Sequence, residues 1–125
     1  MAVFGDVDKG FTAQGAVSLY QAITWGTADN TCKAVGATSD NVLGFAQEKC
    51  DAGDANKRVL NVRMAGISYA VAGGAITRGD RLKVTATGAL IATTTAGDIV
   101  CGHAIQSAAS GDIFEVFIAH HNKHA

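Results

Sequence analysis

The sequence contains no proline, so every reversal of the chain must be made by glycine, asparagine, aspartate or threonine. Charge is scarce too: 17% of residues are charged, against roughly a quarter in ordinary soluble domains. Ten Lys and Arg oppose eleven Asp and Glu, giving a formal net charge of −1. With no basic block, and only 6% aromatic residues to interleave with one, no nucleic-acid partner is expected. The apolar runs are far short of a membrane span, so no membrane partner is expected either. Residues 1–10 show no positive n-region ahead of an apolar stretch, and synthesis in the cytoplasm without export is the expectation. The three cysteines, Cys32, Cys50 and Cys101, include no Cys-x-x-Cys pair, which removes zinc-ribbon and redox spacings. They read as reduced, partly buried small hydrophobes. The sharper alternative is a cross-link between subunits through the odd cysteine.

Groups that could react are equally sparse. There is no Gly-x-Ser-x-Gly elbow, no Walker loop and no dinucleotide fingerprint. Asp51 and Asp54 share a polar loop with Glu48, where carboxylates are ordinarily solvated. His120, His121 and His124 follow a strand-like run and have no nearby Cys, Asp or Glu to complete a metal site, so they read as a solvated tail. His103 shares the face of Ile99, Cys101 and Ile105 and reads as a core or interface histidine. Arg78-Gly79-Asp80 spells the integrin-binding tripeptide. Gly-Asp is however this chain's habitual turn, recurring at Gly5-Asp6, Gly53-Asp54, Gly97-Asp98 and Gly111-Asp112. The expectation is therefore no enzyme, no cofactor and no metal.

What is present is a repeat. Asp40, Val42, Gly44, Ala46, Gly53 and Asp54 recur as Asp98, Val100, Gly102, Ala104, Gly111 and Asp112, every pair 58 positions apart (98 − 40 through 112 − 54). Each copy leads into a second apolar run, Val59 to Met64 or Ile113 to Ile118. Strand, turn and strand used twice predicts a small all-β barrel or sandwich with internal pseudo-symmetry. Gly44 and Gly102, inside their strands, are expected to mark equivalent bends or close backbone approaches.

Period-two alternation, as in Leu60, Val62 and Met64 against Asn61 and Arg63, supports the class. It predicts strands near 13–19, 20–25, 32–35, 42–48, 58–65, 68–71, 81–86, 89–93, 99–106 and 113–119. Within Ile113–Ile118 only Glu115 is polar, so that strand is expected to be central or pressed against another subunit. Phe114, Val116 and Phe117 are the oligomer-interface candidates. The expected organisation is an N-terminal arm over 1–10, one β domain over 11–119 and a polar, His-rich tail over 120–125.

The order of these parts resembles the capsid decoration, or cement, proteins of tailed bacteriophages. The resemblance rests on Val42-Leu43-Gly44-Phe45-Ala46, Gly53-Asp54 and Val59 to Arg63. It continues through Gly79-Asp80-Arg81-Leu82, Thr87-Gly88-Ala89-Leu90, Val100-Cys101-Gly102-His103-Ala104 and the closing strand after Gly111-Asp112. It spans about residues 13 to 119, leaving out Trp25 to Asn30 and the tail. It implies a β-tulip-like body on the outer capsid surface of a virion, stabilising the shell by bridging subunits of the major capsid protein. It also implies a homotrimer with an arm reaching over the lattice, for which Val3, Phe4 and Val7 are the capsid-contact candidates. Two other readings stay open: a surface-adhesion module using Arg78-Gly79-Asp80, and a small β-barrel ligand-binding protein.

Overall fold

Ten short strands carry the chain, because its apolar residues recur at a spacing of two and its turns fall every few residues. The protein's structure, a computed structural model, describes residues 6–123, with side chains as far as Ile118. The strands are β1 (Val7–Ala13), β2 (Ala22–Trp25), β3 (Thr31–Ala34), β4 (Gly44–Ala46), β5 (Val59–Ala65), β6 (Ile67–Val71), β7 (Arg81–Val84), β8 (Leu90–Ala92), β9 (Ile99–Ala104) and β10 (Ile113–Lys123). The one helical element described is the 3-10 turn Ala52–Asp54. The expected all-β class holds. A closed barrel takes the order β1-β3-β2-β4-β5, and a second five-stranded sheet takes the order β6-β10-β9-β7-β8.

The second sheet repeats the first, strand for strand. In the first half Ile23 pairs with Gly44 and Phe45 with Arg63; in the second, Leu82 pairs with Gly102 and His103 with Phe117. The first barrel closes through the parallel pair Ala13↔Cys32, and its counterpart is the single parallel bridge Ala72↔Leu90. Even the isolated bridges match, Val17↔Cys50 with Ile76↔Ala108. The offset is 58 or 59 (102 − 44, 76 − 17) until the last strand of each half, where it falls to 54 (117 − 63). The segment 51–58 is four residues longer than its counterpart 109–112, which accounts for the change. The 15-residue echo in the sequence is thus a window onto a duplication of nearly the whole chain.

The halves are not independent. Phe11, Ile23, Cys32, Leu60 and Val62 fill the first barrel. The second core recruits Ala22, Val35 and Phe45 from the first half to join Leu82, Leu90, Phe114 and Val116. Gln47 Nε2 donates to Ser68 Oγ (2.9 Å) and Gln21 Nε2 to the Thr87 carbonyl (2.8 Å), so polar contacts also cross the junction.

Three expectations need correction. The strand expected over 13–19 is a series of bends tied down by the bridge Val17↔Cys50, and the first strand lies earlier, at Val7–Ala13. Phe11 and Ala13 are the only buried residues of β1; hydrogen bonding to β3 and β5 on either side defines that strand more than its own pattern does. The arm cannot extend to residue 10, because Asp8, Lys9 and Gly10 pair with Arg63, Val62 and Asn61. Val3 and Phe4 lie outside the described residues. Nor does a separate tail begin at 120: β10 runs on to Lys123, with Asn122↔Val100 and Lys123↔Ile99 resuming after an irregularity in the register.

Candidate functional site

Strand β10 puts Phe114, Val116 and Ile118 on one side and Ile113, Glu115 and Phe117 on the other. Phe114 (1% exposed) and Val116 (0%) are packed inside the protein's own core. They are therefore not interface residues, which corrects two of the three oligomer-interface candidates. The strand reads as apolar on both faces because one face fills its own core. The other face looks outward, and there Phe117 stands opposite Ile67, Glu115 opposite Tyr69 and Ile113 opposite Val71. Ile113 (55%), Phe117 (54%), Tyr69 (46%) and Ile67 (44%) are all exposed. Large apolar groups side by side on neighbouring strands form a patch, which isolated exposed side chains do not.

The duplication supplies an internal control. By register, the first half carries Asp8, Gly10 and Thr12 where the second has Ile67, Tyr69 and Val71. It carries Val59, Asn61 and Arg63 where the second has Ile113, Glu115 and Phe117. Apart from the exposed Val59, that face is polar, and its charged groups are satisfied from within. Arg63 Nε donates to Asp8 Oδ1 (2.8 Å) and Asn61 Nδ2 to Asp8 Oδ2 (3.0 Å). Arg63 also donates to the Ile67 carbonyl (3.1 Å) and pairs with Asp6 (3.4 Å). The hydrogen bond from Arg63 holds the Asp8 carboxyl below its usual range, against the opposing effect of burial, with help from Asn61. The same scaffold thus presents one outer face closed by its own charges and one apolar face.

Tyr20 borders the apolar face with φ = +63°, a backbone region in which a bulky side chain is an outlier. The matching position in the second half is Gly79, at φ = +93°. The correspondence is fixed by hydrogen bonds, since Tyr20 N donates to the Ala46 carbonyl and Gly79 N to the Ala104 carbonyl. Two further positive-φ residues, Asn30 and Asn56, also correspond to glycines, Gly88 and Gly111, the latter pair because Asn56 N donates to the Ala13 carbonyl as Gly111 N does to that of Ala72. Asparagine tolerates this region through local hydrogen bonding, whereas an aromatic residue there costs roughly 1–2 kcal/mol. The Tyr20 ring lies 5.3 Å from that of Tyr69, centroid to centroid, tilted by 52°. Beside this pair a groove between the halves is lined by Ser18, Leu19, Gln21, Val71 and Thr87.

Elsewhere the candidates separate. Val7 is exposed on β1 opposite Ala65, away from the core. Trp25 is exposed, with its ring edge-on to Phe11, and Lys9 Nζ sits 4.6 Å from the centroid of that phenylalanine. His103 is half-buried and lies between Phe117 and Arg81 across the sheet. In Arg78-Gly79-Asp80 the aspartate is engaged in the turn: Asp80 Oδ2 accepts from Thr77 N at 2.8 Å. All three cysteines are buried as free thiols. Burial, with the neighbouring Cys50, pushes Cys32 up to about 11, and burial pushes Cys101 up to about 12. Cys32 and Cys101, so protonated and enclosed, are poor cross-linking groups, and Cys50 is enclosed as well.

Gly44 and Gly102 hold equivalent sites. A β-carbon on Gly102 would stand 2.7 Å from both the Phe117 carbonyl oxygen and Val116 Cγ2. On Gly44 it would meet the carbonyl oxygen of Arg63, the residue matching Phe117, and lie 2.9 Å from Val62 Cγ1. Both are places where one strand backbone crosses close over the next.

The tyrosine pair was missed in the sequence because nothing local marks Tyr20 as left-handed. Its alignment with Gly79 was the available signal, and it lies outside the stretch where the repeat is visible.

No curated protein matches this sequence. Among solved structures, the N base of head fiber gp8.5 of bacteriophage phi29 superposes with a TM-score of 0.68 at 23% identity, covering 90% of this chain and 93% of that one. That likeness establishes a shared fold. The sequence of residues 56–119 matches the family described as phage cement protein, just over half of the chain and nearly all of its second sheet. This chain belongs to the phage cement proteins, a family of structural proteins associated with the phage capsid.

Proposed function

We propose that this protein binds the outside of a phage head and stabilises the shell by bridging subunits of the major capsid protein. The observation that carries this reading is the apolar outer face of β6 and β10, set against its polar, internally paired counterpart in the first half. Two faces built on one scaffold differ in sequence where their surroundings differ, and an apolar face of this kind is matched to a protein surface. The protein acts by adding contacts across subunit boundaries and needs no chemistry of its own. A homotrimer presents three such faces, so modest contacts combine through multivalency. Residues Val3, Phe4 and Val7 are additional capsid contacts in this proposal. The adhesion reading loses support because the Asp80 carboxylate is bound into its own turn.

The test is decoration of purified heads that lack the protein. Ile67→Ser with Phe117→Ser should reduce decoration at least tenfold while the melting temperature holds, since both side chains face outward. Decorated heads should withstand heat or low salt longer than bare ones. Failure of the unaltered protein to bind heads refutes the proposal.

A further inference from the structure

We propose that Tyr20 is the anchor residue of the apolar face, kept in an unfavourable backbone conformation because its ring is needed for binding the capsid shell. The inference deepens the capsid-binding reading above and rests on it. Three positive-φ positions in the first half correspond to glycines in the second, and two of them hold asparagine, a residue suited to that conformation. Among the described residues only Tyr20 combines the left-handed backbone with a large side chain. Strain of this kind persists where function requires it.

The position of the ring indicates that function. It lies against Tyr69, and so extends the Ile67–Phe117 patch across the junction from the second half onto the first. The Leu19 and Val71 groove adjoins it and can admit an apolar side chain from a partner. Two tyrosines beside a groove have the composition of an interface hot spot, broad apolar area with a hydroxyl able to donate or accept. The occupant is a capsid-shell protein: membership of the cement family supplies the association with the capsid, and the first half shows that the scaffold does not itself require an apolar face here.

The decisive variant is Tyr20→Asn, which keeps a residue tolerant of the left-handed region, as at Asn30 and Asn56, and deletes the ring. Its melting temperature should equal or exceed that of the parent, while its affinity for undecorated heads falls at least tenfold. Tyr69→Ser, on an outward strand position, should weaken head binding to a similar degree. Unchanged affinity in Tyr20→Asn, beside a parent that binds heads, overturns the anchor role and leaves the capsid-binding reading intact. A large fall in melting temperature also overturns it, because the ring then serves packing. If native mass spectrometry shows the variants dissociating an oligomer, the face is occupied by a second copy and the assignment to the capsid is wrong. A parent that binds no heads refutes the broader reading first.

Discussion

Placing alanine at Gly44 and at Gly102 tests whether the two halves are equivalent in energy as well as in shape. At Gly102 the new methyl would stand 2.7 Å from the Phe117 carbonyl oxygen. Ordinary contact requires β9 and β10 to separate by roughly 0.5 Å, which hydrogen bonds of normal length absorb with some loss. At Gly44 the methyl falls on the Arg63 carbonyl oxygen itself, and β4 must move by about 1 Å, enough to break its ladder to β5. The short β4 has only the pairs Phe45↔Arg63 and Ala46↔Val62 on that side. Overpacking of a tight site costs about 1–3 kcal/mol, and more where backbone must yield. The lower chain entropy of alanine offsets about 0.4–1 kcal/mol of that. Gly102→Ala should therefore destabilise by about 1–2 kcal/mol, and Gly44→Ala by more than about 3 kcal/mol. At about 4 °C per kcal/mol for a chain of this size, thermal melts separate the two. Melts within a degree of the parent, or the larger loss at Gly102, would refute the close-approach reasoning.

Other outcomes follow from single contacts. Asp8, its pKa depressed by Arg63, contributes stability that is fully present above the unfolded value of about 3.9 and is lost as pH falls through the folded one; in thermal melts Asp8→Asn should flatten the acid limb below about pH 4. Under native conditions Cys32, Cys50 and Cys101, all buried, should react with a thiol reagent only as fast as the protein opens, and non-reducing gels should show no disulfide-linked dimer. Deletion of residues 2–9 should lower the melting temperature, because Val7, Asp8 and Lys9 are paired with β5; an unchanged melt would place them outside the fold. Native mass spectrometry at micromolar concentration should show a trimer, and a species that stays monomeric both alone and on heads would refute that proposal.

Much of the fold was legible because period-two burial acts on neighbours in sequence. Leu60 and Val62 in β5, and Leu82 and Val84 in β7, alternate with exposed or half-buried residues and are buried as expected. The first strand was not legible. Gly10, Lys9 and Asp8 carry no strand signal of their own, and they are held extended by Asn61, Val62 and Arg63, some fifty residues away. The apolar outer face was half legible. Ile113–Ile118 stood out as apolar on both sides, but sequence alone could not say which side filled the protein's own core. That assignment depends on where the sheet faces the rest of the molecule, and the core proved to hold Phe114 and Val116.

Duplication explains how one small chain can hold both a rigid body and an apolar outer face. Here the second core is sealed in part by Ala22, Val35 and Phe45 of the first half, while Arg63 ties β5 to the linking turn at Ile67. The first half thus completes the core beneath the second and keeps its own face polar through Asp8, Asn61 and Arg63. The second half is then free to diverge on its outward positions without loss of packing, because Ile67, Tyr69, Ile113 and Phe117 add little to the core below. Tyr20 departs from this division of labour, as a first-half residue that reaches over to Tyr69 at a cost in backbone conformation. A substitution that relaxes its backbone and spares the core should therefore separate stability from binding, as no substitution at Phe114 or Val116 can.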